Sequence, residues 1–367
     1  MASENWWMTG SFARLVKAGT AMGMGASIII AAYAVTPPAA APGKLETYRD
    51  WIIGCDNGGG CEAVSLLAEN GVGPEMFATI SIMREGGAAA QPVITITPAE
   101  PARGQVDLMV DGMGVARASL VGDAVKFTGV QAYAVIDRLS RGTRFELVAH
   151  GKSLGEASLS GSAAALRYMD ARQGRAGTVT ALVAKGPLRA AAVRAAPALP
   201  AIRLGVMPPQ GKGEALWQTE VSRVNALTGC GDENLGNAEA EVYPLAGNRA
   251  LVLVPCGAGA YNFTAVPVIA SGKAGRRTFA LAPFDRRPRW GDDAHVPLLV
   301  NVRWDASRAL LTSYAKGRGV GDCGNSEDYV WDGTMFRMVR ASLMTECRGA
   351  RDWITVFRAR LVGGAKK

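Results

Sequence analysis

Six cysteines, at positions 55, 61, 230, 256, 323 and 347, constrain this chain more than any other feature. In an oxidising compartment an even number of cysteines implies a disulfide framework. Six thiols allow fifteen pairings in principle, but these six fall into three sequence-local couples, each framing one hairpin or loop. The expected bonds are Cys55 to Cys61, Cys230 to Cys256 and Cys323 to Cys347. By loop entropy the short link contributes about 2 kcal/mol and each longer one about 3–4 kcal/mol. No spacing matches the C-x₂₋₄-C of a zinc site or the C-x-x-C of a redox pair. The thiols are therefore read as structural.

The N-terminus supplies the compartment that such bonds require. Arg14 and Lys17 precede an uncharged apolar stretch from Ala18 to Val35, and Ala32-Tyr33-Ala34 fits the small-x-small rule for signal peptidase. Residues 1–34 are read as a signal peptide and 35–45 as a tether, giving a periplasmic or secreted protein that is not integral to the membrane after cleavage. The competing reading is a retained anchor, since the stretch is just long enough to span a bilayer. No cysteine precedes Cys55, so a lipid-modified N-terminus is not expected.

Glycine is abundant (45 residues) and aromatics are sparse (7%), a balance that suits many short strands joined by turns. β-prone runs fall at 48–53, 62–67, 76–83, 93–97, 106–110, 115–120 and 145–149. A second set falls at 239–243, 250–254, 263–269, 278–282, 298–304, 309–314, 328–331, 335–339 and 353–359. Two short helices are expected, over 132–139 and over 163–173, the latter with Ser162 as N-cap and Gly174 at its stop. The stretch 217–227 is left open. The fold class is mainly β: two sandwich-like or half-barrel modules, disulfide-braced. Their bounds are 46–185 and 214–362, joined by an Ala/Pro-rich basic linker over 186–213 and followed by a tail at 363–367.

Charge is informative once located. The chain carries a net +8, and removing Arg14, Lys17 and Glu4 with the leader leaves an excess of seven. Residues 171–213 hold Arg172, Arg175, Lys185, Arg189, Arg194, Arg203 and Lys212 and no acid, which accounts for that whole excess. No aromatic interrupts the chain between Tyr168 and Trp217, so the pattern does not suit nucleic acid. It reads as a solvated cationic linker able to lie near an anionic surface.

Several motifs suggest chemistry and lack its context. Gly151-Lys152-Ser153-Leu154-Gly155 matches a nucleophile elbow, but the alternation of residues 156–159 continues as a strand where a helix is needed. Gly319-Val320-Gly321-Asp322-Cys323-Gly324 matches a dinucleotide fingerprint, yet no helix follows it. The chain has two histidines, His150 and His295. Asp292, Asp293 and His295 are the candidate metal ligands. Asp322, Asn325, Glu327, Asp328 and Asp332 crowd one braced segment without EF-hand spacing. No cofactor is expected; calcium or zinc is the alternative at these positions. Asp56-Asn57-Gly58-Gly59-Gly60, clamped between two cysteines, is the candidate binding loop.

Three stretches carry a resemblance: Trp51-x-x-x-Cys55-Asp56-Asn57, Pro255-Cys256-Gly257-Ala258-Gly259-Ala260-Tyr261-Asn262, and Gly321-Asp322-Cys323-Gly324 through Trp331-Asp332-Gly333 to Glu346-Cys347-Arg348. In these the chain resembles the DUF1176 family of bacterial exported proteins over roughly residues 45–362. That resemblance implies architecture and carries no activity. The first half is also similar to the invasion-associated locus B proteins, which are secreted or envelope-bound; this implies interaction. The functional expectation is a non-enzymatic envelope protein that binds an envelope protein or a cell-wall polymer. The alternatives are a hydrolase, with or without a metal, using Asp292, Asp293 and His295, and an inhibitor of a secreted enzyme presenting the loop 56–60.

Overall fold

Period-2 alternation of apolar and polar residues dictates which face of each strand is buried, and the strands pair accordingly. The structure is a computed structural model that describes residues 41–71, 73–231, 239–288 and 295–363. The expected signal peptide, most of the tether and all but the first residue of the tail lie outside the described residues. No described helix is long and apolar enough to cross a membrane.

The first half contains β1 (Leu45–Tyr48), β2 (Trp51–Cys55), β3 (Cys61–Ser65), β4 (Thr79–Arg84), β5 (Pro92–Thr97), β6 (Gly104–Val110), β7 (Met113–Leu120), β8 (Val125–Thr128), β9 (Arg144–Ala149) and β10 (Lys152–Ser158). Helix α1 (Gly129–Leu139) lies between β8 and β9, and α2 (Ser162–Arg172) follows β10. Six strands form one sheet in the order β1-β2-β3-β4-β5-β8, and four form a second in the order β10-β9-β6-β7. Ile80, Ile82, Ile94 and Ile96 from the first sheet meet Leu108, Phe145 and Leu147 from the second in one core, which α1 and α2 also line. Strand β5 alternates strictly, burying Pro92, Ile94 and Ile96.

The second half begins with β11 (Ala201–Arg203) and α3 (Gln218–Thr228) and continues with β12 (Glu241–Leu245), β13 (Arg249–Ala258), β14 (Phe263–Ser271), β15 (Thr278–Leu281), β16 (Leu299–Val300), β17 (Arg303–Asp305), β18 (Leu310–Lys316), β19 (Gly324–Trp331), β20 (Phe336–Met344), β21 (Ile354–Arg358) and β22 (Arg360–Val362). Strands β12 to β16 form one sheet and β17 to β21 another. Leu251, Leu253 and Ile269 face the second sheet, packing with Tyr329, Trp331 and Phe336. The alternate residues Val252, Val254, Val266 and Val268 face the opposite way, onto Val224 of α3. The helix in the stretch left open by the sequence thus covers a sheet face that would otherwise expose valines.

The fold is mainly β, and the three local disulfides Cys55–Cys61, Cys230–Cys256 and Cys323–Cys347 brace it. Two local readings change. The N-cap of α2 is Gly161 at φ 97°, not Ser162; the Ser162 hydroxyl instead donates to the Leu139 carbonyl at 3.3 Å. An alanine at Gly161 would meet the Tyr48 carbonyl at 1.7 Å, so backbone crowding selects glycine there. The stretch 186–213 is also not simply a solvated connector. It contains β11, which pairs in parallel with β22, and Val193, which is buried.

A further apolar cluster joins the halves. Strand β2 is buried along its whole length because Trp51 and Ile53 face their own core while Ile52 faces the second half. Ile52, Val64 and Leu66 pack there against Met344, Ala350 and Ile354. Arg348 spans the same junction, donating to the carbonyls of Leu67 and Arg49 and pairing with Asp50 at 2.5 Å.

Candidate functional site: the clasped loop and its groove

The loop between Cys55 and Cys61 connects β2 to β3, whose last and first residues are the bonded cysteines themselves. Its side chains face inward. Asp56 Oδ1 accepts from the Gly58 and Gly60 amides at 2.7 and 3.0 Å, and Asp56 Oδ2 pairs with Arg358 at 2.5 Å. Asn57 makes a reciprocal pair with the backbone of Arg358: its Nδ2 donates to the carbonyl at 2.9 Å and its Oδ1 accepts from the amide at 2.7 Å. Arg358 in turn grips Glu85 with both Nη atoms, at 3.1 and 2.6 Å.

Each of the three glycines has its own reason. A Cβ at Gly58 would sit 2.8 Å from Leu199, and one at Gly60 would sit 2.8 Å from the Arg358 guanidinium. Gly59 adopts φ 79°. Gly58 and Gly60 are buried and the other loop residues are half-buried. The loop therefore does not project as a plug for another enzyme's cleft; it forms the floor of a groove.

That groove has a volume of about 660 Å³. Its floor is the clasped loop with Gly86 and Gly87, one wall is the end of α2 with Arg172 and Gln173, and the other is the Ala/Pro-rich stretch at Ala192, Arg194, Ala195, Ala196 and Pro197. A second hollow of about 410 Å³ shares Cys55, Asp56, Asn57 and Arg172 with the first and adds Lys44, Glu46 and Tyr168. Among the described residues neither Arg172 nor Arg194 has a carboxylate partner, and both are exposed.

A buried network beneath the groove positions its wall. Asp170, fully buried near the end of α2, accepts from Arg84 Nη2 at 2.9 Å and from the amides of Leu182, Val183 and Ala184 at 2.8, 2.9 and 3.0 Å. Arg84 Nε donates to Gln173 Oε1 at 2.7 Å. Gln173 Nε2 then donates to the carbonyls of Gly59, Arg84 and Glu85 at 2.9, 2.8 and 3.2 Å. Arg175 is fully buried and donates to Gly87 and Ala90 carbonyls and to Thr180. Burial, and then the adjacent Arg84 guanidinium, pull its pKa below the ordinary arginine range. This arginine, read from sequence as part of a solvated run, is a core residue.

On the other side of the loop lies a hollow of about 300 Å³ lined by Glu62, Met83, Arg340 and Thr355. Burial pushes the Glu62 carboxyl above its usual value, and Asp352 adds to the rise against the Ser81 hydrogen bond and Arg340.

The remaining sequence candidates are dispersed. Asp292 and Asp293 lie outside the described residues, and His295 is exposed. Among the described residues no group of three His, Cys, Asp or Glu side chains is placed to hold a metal ion. His150 sits in the β9–β10 turn at φ 49°, and Ser153 lies within β10 with a strand continuing after it. Asp322 accepts from Arg318 and the Gly349 amide. Asp332 caps the β19–β20 turn by accepting from the Thr334 and Met335 amides. Glu327 is buried and accepts from the Tyr329 hydroxyl at 3.0 Å. These acids are turn caps and core partners. Arg172, Arg194, Gly86, Gly87 and Gln173 were not singled out from sequence as one site. The acid-free run at 171–213 was the available signal.

A family model described as "Protein of unknown function (DUF1176)" matches residues 45–360. The uncharacterized protein YpfG of Escherichia coli (strain K12) is 29% identical over 350 residues, covering 88% of this chain and 94% of that protein. No solved structure matches the chain. These findings agree with the first resemblance carried by the cysteine-centred motifs; the similarity to invasion-associated locus B proteins gains no support from them.

Proposed function

We propose that this chain, which belongs to the DUF1176 family, is an exported, non-enzymatic binding module of the bacterial envelope, and that the groove beside the Cys55–Cys61 loop is its binding surface. The observation that carries the reading is the groove's construction. Its volume of about 660 Å³ falls within the usual range for ligand sites, and its floor and its α2 wall are held by hydrogen bonds before any ligand arrives. Two arginines without acidic partners among the described residues, Arg172 and Arg194, stand on its walls. The disulfides and the apolar leader ending at Ala32-Tyr33-Ala34 support export to an oxidising periplasm. Ser153 of the elbow-like motif lies within a strand, which favours binding over serine-dependent hydrolysis, and Asp322 and Asp332, offered as calcium ligands, are employed as turn caps.

The ligand classes are a cell-wall polymer or another envelope protein. The test is retention of the purified mature chain on isolated cell wall and on immobilised envelope proteins. Retention on either, lost on filling the groove by an Ala195→Trp substitution, is expected. No retention on both overturns the proposal.

A further inference from the structure

We infer that the groove receives an extended, carboxylate-bearing peptide, an inference that rests on the binding reading above and names its ligand class. The first reason is how the structure disposes of the seven basic residues in the acid-free run. Arg175 is buried on backbone carbonyls, Lys185 pairs with Asp137 at 3.3 Å, and Lys212 pairs with Glu241 at 2.6 Å. Arg189 and Arg203 are exposed and do not line the groove, whereas Arg172 and Arg194 do. Two guanidiniums therefore line one trough with no carboxylate partner among the described residues.

The second reason is the fate of the acids there. Asp56, the one acid lining the first hollow, is turned inward onto two glycine amides and onto Arg358, which it shares with Glu85, so it leaves the two groove arginines unpaired. In the second hollow Glu46 and Lys44 offset one another. The excess is positive at Arg172, which lines both hollows, and at Arg194. A guanidinium presents a planar fork that matches a carboxylate in two parallel hydrogen bonds.

The third reason is shape. The two hollows adjoin along the clasped loop, making a trough longer than a single small anion needs. The first hollow has alanine, proline and glycine walls and no aromatic ring, so sugar rings or bases find no stacking platform along it. A chain of small cross-section with periodic carboxylates fits; six extended residues reach about 20 Å.

The probe is fluorescein-labelled hexaglutamate, titrated into the purified mature chain at low and moderate salt, with hexaglutamine of equal length as the neutral comparison. Hexaglutamate is expected to bind at least tenfold more tightly. Arg172→Gln with Arg194→Gln should weaken it at least tenfold, while the equal charge change Arg189→Gln with Arg203→Gln should cost less than twofold. All four residues are exposed, and unchanged urea unfolding confirms that the variants are folded. Equal losses in the two double variants would reduce the effect to net charge and overturn the inference, as would inorganic polyphosphate competing better than hexaglutamate.

Two sources of such a peptide are separated by competition with isolated cell wall before and after enzymatic removal of its stem peptides. Displacement lost on that treatment identifies the wall. Groove-dependent hexaglutamate binding that no wall preparation displaces identifies an acidic protein segment. Wild-type chain that ignores hexaglutamate yet stays on the wall overturns the peptide inference alone; failure on both removes the binding reading with it.

Discussion

Replacing Asp170 tests the claim that one buried carboxylate positions the groove wall. It is fully buried and accepts four hydrogen bonds, one from the Arg84 guanidinium and three from consecutive amides at 182–184. Asp170→Asn keeps the shape, removes the negative charge and turns an amide NH₂ toward groups that can only donate. Removing one partner of a buried ion pair costs about 3–5 kcal/mol, because the other charge is left buried without compensation. The asparagine oxygen can still accept from some of the amides, so about 3 kcal/mol is expected, rising toward about 5 kcal/mol for Asp170→Ala. In urea, with a slope of about 3 kcal/mol/M, the midpoint should fall by about 1 M for the asparagine variant. Amide hydrogen exchange at Leu182, Val183 and Ala184 should accelerate ahead of the rest of the first half. The comparison is Asp107→Asn, which breaks an exposed pair with Arg117 and should leave the midpoint unchanged. A midpoint for Asp170→Asn that matches wild type, or slow exchange at the three amides, would refute the reasoning.

Two further outcomes follow from the same geometry. Burial alone would raise the Asp332 carboxyl, but hydrogen bonds from the Met335 amide, the Thr334 hydroxyl, Arg337 and the Thr334 amide outweigh it and hold the pKa at about 2 against an ordinary 3.8. A depressed folded pKa stabilises above the unfolded value and is lost as pH falls through the folded one. Asp332→Asn should therefore lose about 1–2 kcal/mol at neutral pH, and the gap to wild type should close between pH 4 and pH 2, read by urea unfolding across that range. Replacing Cys55 and Cys61 together by serine should cost about 2 kcal/mol by loop entropy, measured by thermal unfolding beside wild type. Because Asp56, Asn57 and Gln173 hold the loop independently of the bond, the native fluorescence spectrum should persist.

The architecture was largely legible because its signals are local. Alternation in β5 and the spacing of the cysteine couples are read within a few residues. What was missed depends on partners distant in sequence. Nothing near Arg175 announces that it is buried; its partners Gly87 and Ala90 lie more than eighty residues earlier. The 217–227 stretch could be assigned only once the valine face it covers was known. The clasped loop was found from its cysteines, while its role as a floor was not. Arg358 is about three hundred residues away and turns Asp56 and Asn57 inward. The groove combines four segments, around 55–61, 86–87, 171–174 and 192–197, that come together only in the fold.

The central claim is that ligand enters this groove, and site-directed photocrosslinking in living cells tests it most directly. A benzophenone side chain placed at Ala195, on the groove wall, should form a crosslinked product in the protein's own compartment. One placed at Val121, which is 78% exposed in the turn between β7 and β8, should not. Crosslinks from Val121 equal to those from Ala195, or none from Ala195, would contradict the assignment of the groove.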